Sequence, residues 1–226
     1  MQLFRYDIHT HTSVASKCSI ISPEDLVRYY KGLGLTGICV TDHFLNGNTT
    51  VPANLPWETR IELYCRGYEI ALEEGRKIGL DVFFGWEYSS RGMDLLTFGL
   101  DKEWLLDHPE LLSLSVNDYC DLVRSDGGFI VHAHPFREAF YIPKIRLIPR
   151  KVDAVETINE GNTDFENQCA DKYADMYKLA KVAGSDTHSD GMSRISGIQL
   201  KRRLKDVHDM ISAVKNGETE IFTITT

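Results

Sequence analysis

Short apolar runs alternate along the chain with segments of helical periodicity. A β-like run from Gln2 to Tyr6 comes first. Ser22-Pro23-Glu24-Asp25 then carries the residues that start a helix: a capping hydroxyl, a proline suited to the first position, and an acid in the first turn. That helix is expected to stop near Gly32 and Gly34. Ile38-Cys39-Val40, within Thr36 to Thr41, has the character of a buried parallel strand. The polar stretch from Asn46 to Pro56 reads as a loop. From Trp57 to Ile78, residues Ile61, Tyr64, Cys65, Tyr68, Ala71 and Leu72 recur at helical spacing and form a core-facing stripe. Val82-Phe83-Phe84 and Leu95 to Phe98 read as strands. A Leu-rich helical stretch begins at His108-Pro109, and a further helix carries Val116, Tyr119, Cys120 and Val123. Phe129-Ile130-Val131, Ala154 to Ile158 and Lys181 to Ala183 are strands, with a helix from Thr163 to Leu179 between the last two. A helix from Asp206 to Lys215 and a strand from Ile221 to Ile224 close the chain. Strands and helices alternating at this spacing predict a parallel α/β architecture. With no repeat, low-complexity tract or linker, residues 1–226 are expected to form one domain.

The polar residues at the strand ends change the picture. His9 and His11 follow the first strand, Asp42 and His43 the second, and Glu87 the third. His132 and His134 end a later strand, and Asp186 and His188 another. In an extended segment, residues two apart face the same side, so His9 and His11 present two imidazoles together. In parallel barrels the C-terminal strand ends form one face, where active sites gather. Imidazole and carboxylate ligands brought to one rim predict a metal site for Zn²⁺, Mn²⁺ or Fe²⁺.

Composition narrows the setting. The chain has 226 residues, 42% of them hydrophobic and 26% charged, with a net charge of -8. That is the balance of an ordinary globular protein. No Lys/Arg block stands out, which disfavours a nucleic-acid polymer as partner. No run approaches the ~18 apolar residues of a membrane span. The first residues lack the apolar core of a signal peptide. Five cysteines, Cys18, Cys39, Cys65, Cys120 and Cys169, form no Cys-x-x-Cys pair. An odd number without such pairs favours reduced thiols and a cytoplasmic location.

Five stretches, in order, resemble the polymerase and histidinol phosphatase (PHP) family. They are Asp7-Ile8-His9-Thr10-His11-Thr12, Val40-Thr41-Asp42-His43, Gly85-Trp86-Glu87, His132-Ala133-His134-Pro135 and Gly184-Ser185-Asp186-Thr187-His188. Ser22-Pro23-Glu24-Asp25-Leu26, Leu96-Thr97-Phe98-Gly99-Leu100 and His134-Pro135-Phe136-Arg137 are similar to its short stand-alone members. The resemblance implies a distorted (β/α)7 barrel of TIM type with two or three divalent metals at the C-terminal strand ends. It implies a first metal held by His9, His11, Glu87 and Asp186. A second shares Glu87 and adds His134, and a third uses His43 and His188. Where the family completes the third site, this chain has Lys17 or Cys18. A thiolate there can bind Zn²⁺; a lysine would replace a cation's charge. The family's histidine after Glu87 is also missing, leaving Asp94, His108 or His132 as substitutes. Two ions are therefore expected, with the third left open.

The implied activity is hydrolysis of a small phosphomonoester by a metal-activated water. His188 or His43 would protonate the leaving oxygen. Arg137 would clamp the phosphate, with Arg60, Arg66 and Lys144 as weaker cations for that task. Asp42 is read as orienting an imidazole and Asp7 as a hydrogen-bond acceptor. His208 is read as a surface residue. The Asn46 to Pro56 loop and the stretch from Phe136 to Arg150 would wall the pocket, with Tyr141, Trp57 and Phe44 as candidate stacking surfaces. The rival readings are a metal-dependent amidohydrolase or phosphodiesterase on the same centre, and a metal-binding module without turnover.

Overall fold

A computed structural model of the chain describes residues 2–226. Nine strands form one sheet: β1 (Phe4–Thr10), β2 (Gly37–Val40), β3 (Asp81–Ser89), β4 (Asp94–Phe98), β5 (Phe129–Ala133), β6 (Ala154–Asn159), β7 (Ala180–Gly184), β8 (Arg194–Leu200) and β9 (Glu220–Thr225). Six helices cover it: α1 (Pro23–Gly32), α2 (Trp57–Ile78), α3 (Lys102–Asp107), α4 (Val116–Ser125), α5 (Asp164–Tyr177) and α6 (Val207–Lys215). The strand order is β7-β6-β5-β4-β3-β2-β1-β8-β9. Beyond β7 the chain returns to β1: Asp186 N donates to His9 O at 2.9 Å and His11 N to Thr187 O at 3.0 Å. The sheet is thus a nearly closed barrel.

The architecture differs from a uniform seven-strand parallel repeat. The pairings β1/β2, β2/β3, β5/β6 and β6/β7 are parallel, whereas β3/β4, β4/β5, β1/β8 and β8/β9 are antiparallel. The reason at β4 is the short link from Ser90 to Met93. A parallel crossover needs a dozen or more residues, so β3 and β4 must form a hairpin. Arg91 and Gly92, with φ of 52° and 79°, make the turn. Strands β1, β2, β3, β5, β6 and β7 still run the same way, so their C-terminal ends share one rim.

Local chemistry explains most of the boundaries. Ser22 caps α1 through Asp25 N, and Thr163 with Glu166 forms a reciprocal capping box on α5. The helix expected at His108-Pro109 is a single 3₁₀ turn, Pro109–Leu112. Strand β1 runs four residues past its expected end and carries His9 within it. Strand β8 was not expected, because Ser196-Gly197 interrupts its apolar run. Gly197 is required there: a side chain would strike the Tyr6 carbonyl on β1. Gly197→Ala should destabilise the protein by about 2–3 kcal/mol, the upper range for overpacking, read as a lowered denaturant midpoint with an unchanged slope.

Tyr6, Ile8, Phe98, Phe129, Val131 and Val182 form the core of the barrel, covered by Met210, Ile211 and Val214 of α6. A second core packs Trp86, Tyr119, Phe44 and Leu105 between sheet and helices. Burying each such large side chain is worth about 1.5–3 kcal/mol. The polar rim above stands on this base. Among the described residues, no helix is long and apolar enough to cross a membrane.

Candidate metal centre

The rim gathers His9, His11, His43, Glu87, His134, Asp186 and His188. His9 Nε2 lies 3.1 Å from His11 Nε2 and 3.4 Å from both Glu87 Oε1 and Asp186 Oδ1. His11 Nε2 is 3.1 Å from Asp186 Oδ1. Each oxygen of Glu87 faces a different pair of imidazoles. Oε1 is 3.4 Å from His9 Nε2 and 3.1 Å from His134 Nε2; Oε2 is 2.5 Å from His43 Nδ1 and 3.7 Å from His11 Nε2. Three groups have ligand atoms all within 4.8 Å of one another: His9, His11 and Asp186; His9, Glu87 and His134; His11, His43 and His188.

Outer hydrogen bonds set the tautomers. His9 Nδ1 donates to Glu156 Oε1 at 2.9 Å. His188 Nδ1 donates to the Asp186 carbonyl at 2.7 Å. Ser16 donates its hydroxyl to Asp42 at 2.7 Å, leaving its oxygen to accept from His11 Nδ1 at 3.1 Å. With Nδ1 committed to these acceptors, Nε2 of each ring is the atom left facing the rim, and it can ligate a metal once any proton on it has left. Asp42 therefore acts on His11 through Ser16. Asp7 accepts from His9 N, Ser185 N and the Tyr30 hydroxyl and ties β1 to β7 and α1. Burial pushes Asp7 and Asp42 up to about 6 despite these bonds.

The titration directions match a site built for positive charge. Burial alone would raise Glu87, yet His43 and His9 hold it well below the usual carboxylate range. Asp186 is likewise held low, against burial, by His9 and Arg137. Burial would lower His9, but Glu156, Asp186 and Glu87 hold it well above an ordinary imidazole. His11 goes the other way: burial and the neighbouring His43 push it down to about 3. Glu87 Oε2 and His43 Nδ1 are buried without a hydrogen-bond partner in spite of their closeness. Unpaired buried polar atoms are uncommon in native proteins, and a cation between such groups satisfies them. His134 and Asp186 have φ of 28° and 57°, a region non-glycine residues seldom adopt and one that clusters at functional sites. The donor set fits divalent metal ions.

Glu156, in the middle of β6, is the important residue missing from the sequence reading. It is fully buried and accepts from His9 Nδ1, His134 N and Asn159 Nδ2. An acid inside the apolar run Ala154 to Ile158 was the available signal. Glutamine can accept on only one of the two oxygens, so Glu156→Gln should lower metal affinity ~10–100-fold, measured by competition with a chelator. Gly184 packs its Cα hydrogens against His9 and Glu156; a side chain there would collide with the His9 Cβ and come within 2.6 Å of Glu156 Oε1.

Other expected residues are sorted by the fold. Asp94 stands 4.0 Å from His134 Nε2, in the cleft. His132 is buried on the other side of β5 against Tyr173, and His108 pairs with Glu110 away from the rim. Lys17 is exposed and lines no part of the cleft, whereas Cys18 does. Arg137 donates to Asp186 Oδ2 at 2.8 Å, Asn159 Oδ1 at 2.6 Å and Asn162 Oδ1 at 2.9 Å. Phe44 and Trp57 pack in the core, leaving Tyr141 as the aromatic in the cleft. Arg60 is buried against the Leu45 carbonyl and Arg66 pairs with Glu69, so neither reaches it. Lys144 lines a neighbouring surface groove with Arg137 and Phe140, and His208 is exposed on α6. The cleft has a volume of about 440 Å³, within the range of small-molecule sites. A larger groove of about 850 Å³ beside α2 and α3 carries cations already paired, such as Lys102 with Glu62 and Arg203 with Asp81.

The shape can be set beside solved structures. A two-domain protein from Bacteroides vulgatus, described as containing a predicted PHP-like metal-dependent phosphoesterase, matches 98% of this chain at 16% identity and TM-score 0.72. The chain has a PHP-like fold. It spans 65% of that protein's length. A putative metal-dependent phosphoesterase from Bifidobacterium adolescentis matches at 17% identity and TM-score 0.54, over 92% of this chain and 95% of that one. An amidohydrolase from Chromobacterium violaceum matches at 14% identity and TM-score 0.57, over 83% and 88%. No family model and no curated protein matches the chain by sequence, so the likeness to PHP-like proteins rests on shape and on the rim residues described above.

Proposed function

We propose that the protein is a metal-dependent hydrolase that cleaves a small phosphomonoester. The observation that carries this is Glu87, whose two oxygens face separate imidazole pairs as a bridging carboxylate does. The two phosphoesterase neighbours support the choice of ester. His9, His11, Glu87 and Asp186 would hold one cation, and Glu87 with His134 the second, Asp94 standing near. Zn²⁺, Mn²⁺ and Fe²⁺ suit these ligands. Such ions, when bound, neutralise phosphate oxygens and bring a water toward ionisation at neutral pH.

The chain's own groups supply the rest. Arg137 fixes Asp186 with one N–H. Of the five N–H donors a guanidinium carries, three are used within the protein, and the remaining two are available to a phosphate oxygen. His188 and His43 stand at the cleft mouth, 30% and 16% exposed. They serve as proton donors to a leaving alkoxide or, where a third cation is present, as its ligands. Tyr141 offers a face for an apolar leaving group.

The test is release of phosphate from a simple aryl phosphate. Activity should vanish on stripping with a chelator and return with Zn²⁺, Mn²⁺ or Fe²⁺. Full activity after stripping, or in His9→Ala, would overturn the proposal. The Chromobacterium violaceum neighbour is named as an amidohydrolase, and the same centre can direct a water at a carbonyl. A parallel panel of amides and phosphodiesters separates these substrates. One equivalent of metal with no turnover on any of them would mark a binding module.

A further inference from the structure

We propose that Cys18 is the thiolate ligand of a third divalent cation, held together with His43 and His188 beside His11. The inference rests on the reading of the rim as a cation centre, and it assigns this third position a sulfur ligand that the other two lack.

Cys18 lies on the segment between β1 and α1 and lines the cleft. Its Sγ is 3.1 Å from His43 Nε2, and His188 lines the same cleft. The His11 ring stacks 4.4 Å from His188 and lies 4.5 Å from His43, centroid to centroid. His11 and His188 spend Nδ1 on Ser16 and on the Asp186 carbonyl, leaving Nε2 to the cluster, and His43 turns its Nε2 to Cys18. The independent sign of a cation is the imidazole cluster: one ring nitrogen each from His11, His43 and His188 lies within 4.8 Å of the others, and Cys18 Sγ meets it on the Nε2 edge of His43, the edge opposite Glu87. Lys17 puts no charge there, since that residue is exposed outside the cleft.

The chemistry follows from ligand type. On binding, the Cys18 S–H proton leaves for solvent and a metal–sulfur bond forms, with no change of oxidation state. A thiolate among imidazoles selects Zn²⁺, Co²⁺ or Fe²⁺ over Mn²⁺ and Mg²⁺. The third position should thus prefer softer ions than the carboxylate-bridged pair.

The experiment is titration of the metal-free full-length protein with Co²⁺, following the near-ultraviolet thiolate-to-cobalt charge-transfer band and the bound cobalt per chain. The wild type should develop the band as the third equivalent binds. Cys18→Ser should lose the band and bind one equivalent fewer. Cys18→Asp should recover the equivalent without the band. Cys18 is exposed, so both variants are expected to keep the fold, checked by circular dichroism. Three cobalt ions without the band in the wild type, no more than two bound equivalents in the wild type, or an unchanged band in Cys18→Ser, overturns the assignment. No substrate enters the measurement. A band without phosphoester hydrolysis would therefore reject the proposed activity and leave Cys18 standing, and hydrolysis without a band would do the reverse.

Discussion

Glu87→Gln will leave the protein folded and empty its centre. The substitution preserves volume at a residue only 1% exposed, so packing around β3 changes little. The charge and the symmetry of the two oxygens are lost. Glutamine offers one acceptor oxygen and one N–H₂ group, and the latter would point at the imidazole nitrogens that Glu87 now meets as an acceptor. A neutral amide cannot bridge two cations. The loss should exceed the ~10–100-fold drop in affinity typical of an outer partner of a metal ligand, and phosphate release should fall to about 1% or less of wild type. The check is metal content per chain by mass spectrometry beside turnover on an aryl phosphate. Wild-type metal content and rate in the glutamine variant would show that Glu87 is no bridge.

How far this centre could be read in advance depends on where each residue sits. His9, His11, His43, His134, Asp186 and His188 lie at strand ends, where an apolar run stops and polar side chains stand out against it. Their convergence required only that the strands run one way, which helices alternating with strands imply. Glu156 was hidden because it interrupts a strand instead of ending one. An acid in an apolar run looks like local noise until its partners, His9 Nδ1 and His134 N, are known. Those partners are 147 and 22 residues away, and spacing holds no trace of them. The direction of β4 was legible from the short Ser90 to Met93 link but was obscured by the regular alternation on either side. Strand β8 was not legible by periodicity, because Ser196 and Gly197 are chosen for their neighbours: Ser196 N donates to Ser185 Oγ, and Gly197 makes room for the Tyr6 carbonyl. Arg137 could be picked out by residue type, but its partners within the protein could not. Its first partners are protein groups, and its hold on Asp186 comes before any hold on substrate.

The metal-free protein will lose thermal stability as pH rises above about 6.5, while the metal-loaded protein will not. The cause lies in the same imidazoles. His9, His43 and His188 are all raised above the ordinary value of 6.5: burial opposes this, but Glu156, Asp186 and Glu87 act on His9, Glu87 and Cys18 on His43, and Cys18 and Asp186 on His188. In the unfolded chain these rings lose their protons near 6.5; in the folded chain they keep them to higher pH. The folded state therefore binds more protons in this window, and its stability falls as pH climbs. The contribution is fully present below 6.5 and is gone once pH passes the folded values, leaving Glu87 buried without its imidazolium partners and Asp186 with Arg137 alone. Below 6.5 the picture is mixed. His11 and His132, both pushed down to about 3 with burial as the main cause, weaken the fold as pH falls. Asp7 and Asp42, pushed up by burial to about 6, weaken it as pH rises from 3.8. The test is thus on the alkaline side, where three raised imidazoles face one group of opposite sign: Cys18, which burial would raise but His188 and His43 hold at about 6, adds stability as pH rises. Metal ions need the neutral imidazole, so proton competition recedes as pH rises and binding stabilises the native state more strongly. Melting curves with and without Zn²⁺ between about pH 6.5 and 9 should diverge, each 1 kcal/mol of difference appearing as roughly 2–4 °C for a chain of this size. A gap that stays constant or narrows would mean that the imidazole protons of the empty rim do not balance its carboxylates.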